Sequence, residues 1–114
     1  MKTAHFLKSI ITTSQDLSAA ALSYTTTQTR AFKLEEVTLH ASQNITETIT
    51  ITRDANSGAN YDTVLAKRGL AAEADFVFRP QGECNFLAGD NLKIACTQAN
   101  GVGTVYVEIK LSEM

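Results

Sequence analysis

The segment from Thr104 to Leu111 constrains the fold more than any other, because its apolar and polar residues alternate strictly. Successive side chains of an extended strand point to opposite faces, so a period of two is typical of a strand with one buried and one solvent-facing side. The core-facing residues are predicted to be Val105, Val107, Ile109 and Leu111. The outward-facing residues are predicted to be Tyr106, Glu108 and Lys110.

A turn-prone segment precedes this strand and suggests how the chain ends. Asn100-Gly101-Val102-Gly103 is rich in residues that tolerate a turn. An apolar run at 91–97, entered through the predicted tight turn Gly89-Asp90, indicates another strand. We therefore expect residues 91–97 and 104–111 to form an antiparallel hairpin that closes the chain.

The same pattern of short apolar runs and turns recurs along the chain and predicts about eight strands. They are expected at residues 4–13, 17–29, 31–42, 45–53, 61–68, 75–79, 91–97 and 104–111. Phe6 and Ile10 are the expected buried residues of the first strand. In the fourth, three isoleucines share one side with Glu47, so we expect the inner face there to reach an edge or water.

The third strand changes its pattern midway. Leu34 belongs to one parity of apolar residues and Val37 to the other. A change of parity within one strand predicts a β-bulge near Glu35 and Glu36, and we expect both glutamates on the solvent side.

Short strands separated by turn signals, without a long helical segment, predict a single antiparallel β-sandwich or jelly-roll-like domain. The chain length of 114 residues is typical of one domain. We expect residues 31–114 to form the sandwich core, and residues 1–30 to add N-terminal strands or a docking arm.

Composition argues against several classes of function. A net charge of -2 offers no electrostatic support for nucleic-acid binding. No apolar run approaches the ~20 residues that span a bilayer, and the N-terminus lacks the unbroken apolar run of a secretory signal. We therefore expect no membrane partner and a mature protein that begins at Met1. Cys84 and Cys96 are expected to be reduced thiols, with a bridge between them as the alternative.

Residues that could carry chemistry are sparse. Hydrolases need a nucleophile with a base, or paired acids, and neither His5 nor His40 has a motif partner. His40 is therefore expected to face solvent or an interface. The loop Asp54–Asp62 superficially resembles a calcium loop, but Gly58 occupies a ligand position and no glutamate follows at the required distance. We predict no enzyme activity and no catalytic, cofactor or metal site.

The span from Ala31 to Glu113 resembles a group of small β-sandwich proteins encoded among the structural genes of tailed bacteriophages. The matching segments are residues 32–40, 48–51, 61–65, 75–80, 87–92 and 103–109. The most specific of these are Tyr61-Asp-Thr-Val-Leu65 and the Gly89-Asp90 turn. The residues before Ala31 and the two cysteines lie outside the pattern.

The resemblance implies a non-enzymatic virion protein that is assembled in the host cytoplasm. A capsid decoration (cement) protein that binds and stabilises the shell is the leading expectation, with the major capsid protein or other virion proteins as partners. A tail, head-fibre, or receptor- or glycan-binding module is the alternative. We also expect a homo-oligomer. The predicted interface residues are Tyr106, Glu108, Lys110 and His40, and the first strand is a candidate for pairing with a neighbouring sheet edge.

Overall fold

The computed structural model describes residues 8–113, which form nine β-strands and one short 3-10 turn at Ala59–Tyr61. The expected buried residue Phe6, and His5, lie outside the described residues. The strands are β1 Lys8–Asp16, β2 Leu22–Thr27, β3 Phe32–Ile45, β4 Thr48–Asp54, β5 Thr63–Gly69, β6 Glu73–Phe78, β7 Asn85–Phe86, β8 Asn91–Cys96 and β9 Thr104–Glu113.

The strands form two antiparallel sheets that pack face to face. Sheet A has the order β1-β9-β3-β6, with β7 also paired to β3, and sheet B has the order β2-β8-β4-β5. The first strand thus lies beside the last, and most connections pass from one sheet to the other, which is the jelly-roll arrangement. The predicted all-β sandwich is confirmed. Its ninth strand is the two-residue β7, too short to show a period in the sequence.

One apolar core lies between the two inner faces. Strand β9 contributes the four predicted residues, each no more than 2% exposed, and sheet B contributes Ile49, Ile51, Leu92 and Ile94 from the opposite layer. The rings of Phe32 and Phe86 stack with their centroids 4.5 Å apart. Burial of a large apolar side chain contributes roughly 1.5–3 kcal/mol, so these residues account for much of the driving force for folding.

The predicted closing hairpin is wrong. Strand β8 lies between β2 and β4 in sheet B, whereas β9 lies between β1 and β3 in sheet A. The segment 97–103 therefore crosses from one layer to the other. Alternation determines which face of a strand is buried, but two such strands can either pair edge to edge or face each other across the core.

The β-bulge predicted in β3 is present, because the register of β3 against β9 shifts between Leu34 and Glu36. Glu36 lies opposite Lys110 on the outer face of sheet A, which is the solvent side as predicted, but it is only 9% exposed. Its carboxylate is covered by Arg79, at 2.8 Å, and by Lys110, at 3.1 Å. Both partners are distant in the sequence and come close only through the sheet.

The first strand has the opposite facing to the one predicted. Ile10 is 63% exposed, whereas Ile11 packs against the core. The reason is the register, which places Ile11 opposite the buried Ile109. Directly opposed residues of an antiparallel pair share a face, so β9 determines the orientation of β1.

Glu47 is buried between β3 and β4, where we expected the inner face to reach an edge or water. Its side chain accepts hydrogen bonds from the backbone N–H of Ala99 (2.7 Å) and Asn100 (2.9 Å) and from the Thr97 hydroxyl (2.7 Å). Burial would raise the pKa of this carboxyl, but the hydrogen bonds outweigh burial and hold the pKa below its ordinary value. Glu47 therefore anchors the β8–β9 crossing as an ionised group.

Candidate functional site

The outer face of sheet A contains all four residues that were predicted to form an interface. Tyr106, Glu108 and Lys110 lie on β9, and His40 lies on the adjacent β3, directly opposite Tyr106 in the ladder. The sequence placed each of them on an outer face, and the sheet makes them neighbours. Their role in binding stays a prediction.

Three cross-strand rows of side chains build this surface, which we call the outer A face. The first row contains Ser14, Tyr106, His40 and Asp75. The second contains Thr12, Glu108, Thr38 and Val77. The third contains Ile10, Lys110 and Glu36, and Arg79 donates a hydrogen bond to Glu36. Since these side chains stand on paired strands, the fold holds the surface in place before any partner binds.

The first row includes an imidazole–carboxylate pair that sequence reasoning missed. His40 Nδ1 lies 2.7 Å from Asp75 Oδ1, and the two side chains are 63% and 73% exposed. Ser14 completes the residue types of a catalytic triad, but it is two strands away from His40, with Tyr106 between them. Two strand spacings amount to about 10 Å, so the imidazole is out of hydrogen-bond reach of the serine hydroxyl. The row therefore orients side chains but does not activate that hydroxyl.

The third row is a compact charge network. Lys110 Nζ contacts Glu36 and also lies 3.8 Å from Glu108, and Arg79 contacts Glu36 from the other side. Hydrogen bonds from Lys110 and then from Arg79 hold the pKa of the Glu36 carboxyl below its ordinary value. Arg79 and Lys110 are 75% and 44% exposed, and ion pairs with such exposed partners contribute little to stability, so the consequence of this network is mainly the fixed direction of its side chains.

An open groove of about 460 Å³ runs along the first two rows. It is lined by Thr12, Ser14, Thr38, His40, Tyr106 and Glu108. Three large apolar side chains on the same face are more than half exposed: Ile10, Val77 and Tyr106. Exposed apolar groups surrounded by polar ones are typical of protein interaction surfaces, whereas small-molecule active sites enclose most of their ligand.

The outer face of sheet B has a different composition. It presents the small polar residues Ser23, Thr25, Thr50 and Thr52 together with Lys67 and Lys93. Lys93 lies 3.3 Å from the Asp54 carboxylate. The one large exposed apolar residue in these cross-strand rows is Val64, at the edge strand β5. Sheet B therefore offers a matched surface for control substitutions.

The loop that superficially resembled a calcium site is the hairpin connection of β4 to β5. Asp54 accepts hydrogen bonds from Asn91 and Lys93, which hold its pKa below the ordinary value, and Asp62 accepts one from the backbone N–H of Ala55. These carboxylates bind protein groups. Within residues 8–113, no three His, Cys, Asp or Glu side chains converge as metal ligands.

Both cysteines are free thiols. Burial raises the pKa of Cys84, and burial with the nearby Glu47 charge raises the pKa of Cys96 to about 11. A thiol reacts as its thiolate, so neither cysteine is an activated nucleophile at neutral pH. In the described part of the chain, no helix is long and apolar enough to cross a membrane.

No protein-family model matches the chain, and a search of curated proteins finds no similar sequence. The outer A face and the resemblance carried by residues 31–113 are therefore the two features that bear on function.

Proposed function

We propose that this chain is a non-enzymatic structural protein of a tailed-bacteriophage virion, and that it acts as a decoration protein on the capsid shell. The observation that carries the proposal is the outer A face, where exposed Tyr106, Val77 and Ile10 lie among ordered polar side chains. The resemblance of residues 31–113 to phage structural proteins adds to it. Jelly rolls recur in viral capsid and lectin domains, which is support by analogy only.

The outer A face suits a protein that must bind without rearranging. Its groups stand on β-strands, so little conformational entropy is lost when a partner covers them. Tyr106 is the expected anchor, because aromatic residues near the centre of an interface carry a large share of binding energy. The His40–Asp75 pair and the Glu36 network flank it and would select the orientation of a polar partner surface.

The proposal is tested on expanded, undecorated capsids of the phage that encodes the chain. We expect saturable, stoichiometric co-sedimentation with the shells and release of packaged material at a higher temperature. Tyr106→Ala should weaken binding tenfold or more, or about 1.4 kcal/mol, as for a central aromatic anchor.

Val64→Ala is the matched control, because Val64 is 58% exposed on the outer face of sheet B, compared with 51% for Tyr106. This variant should bind like wild type. If wild-type protein does not bind shells, the decoration role is wrong. An equal loss in both variants would contradict the assignment to the outer A face.

A receptor- or glycan-binding module at a tail or fibre tip is the second candidate, and one observation favours it. The groove combines an aromatic ring, Tyr106, with the hydroxyls of Thr12, Ser14 and Thr38. Such a mixture of one ring face and several polar groups suits an oligosaccharide. Binding on a glycan array that disappears in Tyr106→Ala would favour this function over decoration, whereas flat profiles on glycans and host cells would count against it.

A further inference from the structure

The sandwich has two open sides, and each exposes one edge strand from each sheet. Strands β1 and β2 are the edges on one side, where they contact each other and are joined through residues 17–21. Strands β5 and β6 are the edges on the other side and are joined through residues 70–72. An edge strand presents unpaired N–H and C=O groups, which makes it a template for another strand.

The side formed by β5 and β6 has features that block strand addition. Strand β5 carries Lys67 and Arg68, and its ladder to β4 shifts register between Ile51 and Thr52. Strand β6 is six residues long and carries Glu73 and Asp75. Charged residues, irregular ladders and short strands are the usual protection of sheet edges.

The side formed by β1 and β2 lacks most of this protection, although β2 is as short as β6. Residues 9–15 of β1 contain no charged residue, proline or glycine, and the ladder from β1 to β9 is regular over nine residues. Strand β2, Leu22–Thr27, contains none of these residue types either. The outer edge of β1 has no strand partner within residues 8–113. The edge of β1 is long, regular and uncharged over residues 9–15, and it is the one in the described chain best suited to pair with another strand.

We propose that two copies of this chain pair through β1, antiparallel and related by a twofold axis at Thr12, so that two A sheets become one continuous sheet. Directly opposed residues share a face, and residues of one face are an even number of positions apart in the strand. The axis must therefore lie at a residue and not between two residues. An axis at Thr12 pairs the whole strand, with Ile10 opposite Ser14 of the second copy. It also aligns the strand ends, which are Lys8 and Asp16.

Charge favours a second copy as the occupant. In the sequence, the two ends of β1 have opposite formal charge, and antiparallel self-pairing about Thr12 makes Lys8 and Asp16 register partners at both ends of the interface. Hydrogen bonds from Ser18 lower the pKa of Asp16, which therefore remains ionised at neutral pH. Strand β2 is the edge of sheet B on the same side of the sandwich as β1, and it carries no charge. The dimer therefore places no like charges of the two β2 strands near each other. Isologous twofold dimers are the commonest symmetric assemblies of soluble proteins.

Pairing at Thr12 also extends the outer A face. The row of Ser14, Tyr106 and His40 in one copy continues into the row of Ile10 and Lys110 in the other, because Ile10 opposes Ser14. Ile10, 63% exposed in a single copy, gains a neighbour on its open side. This provides a contact for a side chain whose exposure the single copy does not explain.

Cysteine crosslinking tests both the pairing and its register, in a Cys84→Ser background with the buried Cys96 left in place. Opposed Cα atoms in an antiparallel pair lie about 4.5–5.5 Å apart, within disulfide range. Thr12→Cys should therefore give a covalent dimer on mild oxidation. Ile10→Cys alone and Ser14→Cys alone should not, because identical residues are displaced by about 13 Å along the strand. A mixture of these two variants should crosslink as a heterodimer.

Val64→Cys on the opposite edge is the control and should remain uncrosslinked, and sedimentation velocity should show a wild-type dimer. A wild-type monomer at the highest soluble concentration, without a Thr12→Cys crosslink, would overturn the proposal. Crosslinks through Val64→Cys but not Thr12→Cys would also overturn it. The dimer proposal would also be overturned if the wild-type protein is a monomer and its Thr12→Cys variant crosslinks to shell proteins. That result would assign the β1 edge to a virion partner. The dimer is measured without capsids, so its failure is distinct from failure of the decoration role.

Discussion

Val107 and Glu108 are consecutive residues of β9 in opposite environments. Val107 is 2% exposed in the core between the sheets. The Glu108 side chain is 43% exposed on the outer A face, with Lys110 3.8 Å away. At the scale of the single residue, the facing of the strand therefore decides whether a carboxylate is tolerated.

Val107→Asp should lower the free energy of unfolding by roughly 3–5 kcal/mol, because it places an uncompensated carboxylate in the core. Glu108→Ala is the matched control at the next position and should change it by less than about 0.5 kcal/mol. Urea unfolding of both variants measures the difference. Equal losses would show that the facing of β9 is assigned incorrectly.

Glu47 makes a pH-dependent contribution to stability. Its folded pKa lies below the ordinary value of 4.5, so its ionised form is favoured by folding. That contribution is complete above pH 4.5 and is lost as the pH falls through the lowered folded pKa.

Glu47→Gln should therefore lower the free energy of unfolding by about 2–3 kcal/mol at pH 7, through weaker hydrogen bonds to the crossing. The gap between variant and wild type should close as the pH falls below 4.5. Denaturant unfolding from pH 7 to pH 3 measures it, and Glu108→Gln controls for removal of one carboxylate. A gap that stays constant with pH would contradict this account.

At the scale of elements, the crossing from β8 to β9 is held from several directions. Glu47 binds its first half, and the Gly103 carbonyl accepts a hydrogen bond from the backbone N–H of Leu17 at 2.9 Å. The Thr104 N–H donates to the Ser42 hydroxyl, also at 2.9 Å. Gly103 has φ +82°, and a Cβ there would lie 3.1 Å from Gln43 and 3.5 Å from the buried Ile45.

Gly103→Ala should destabilise the protein by about 2–4 kcal/mol, because it combines an unfavourable positive φ with crowding at the start of β9. Gly82→Ala is the matched control. Gly82 has φ +79°, but a Cβ added there would meet nothing within 4 Å, so its variant should lose only about 1–2 kcal/mol. Thermal and urea unfolding compare the two variants. A loss in Gly103→Ala no larger than in Gly82→Ala would contradict the crowding.

At the scale of the whole molecule, the two proposed contacts use different directions of the sandwich. A virion partner on the outer A face would contact side chains that stand perpendicular to the sheet. A second copy at β1 would bind backbone groups that lie in the plane of the sheet. The two contacts are therefore compatible, and a β1 dimer would present two outer A faces joined side by side.

The local pattern was sufficient for most strands and for the two faces of β9. Alternation in the sequence predicted the buried and exposed sides of β9, because the side-chain period of a strand is two. A change of parity predicted the bulge near Glu36. The predicted facing of Ile10 was wrong, because Ile10 and Ile11 are adjacent and define no parity, so the orientation of β1 depends on its pairing with β9. The Asp75 partner of His40 left no local signal.

Hydrophobic alternation in the sequence by itself determined an all-β sandwich, the buried residues of β9 and the outward direction of Tyr106, Glu108, Lys110 and His40. The tertiary structure alone decided that β8 and β9 lie in opposite sheets, that Glu47 is buried and ionised, and that His40 opposes Tyr106 and pairs with Asp75. The physical reason is the distance along the chain between the residues that determine each feature. A side-chain period is set by neighbours along the chain, whereas register, sheet order and the partners of a buried charge depend on residues brought together only when the two sheets close over the core.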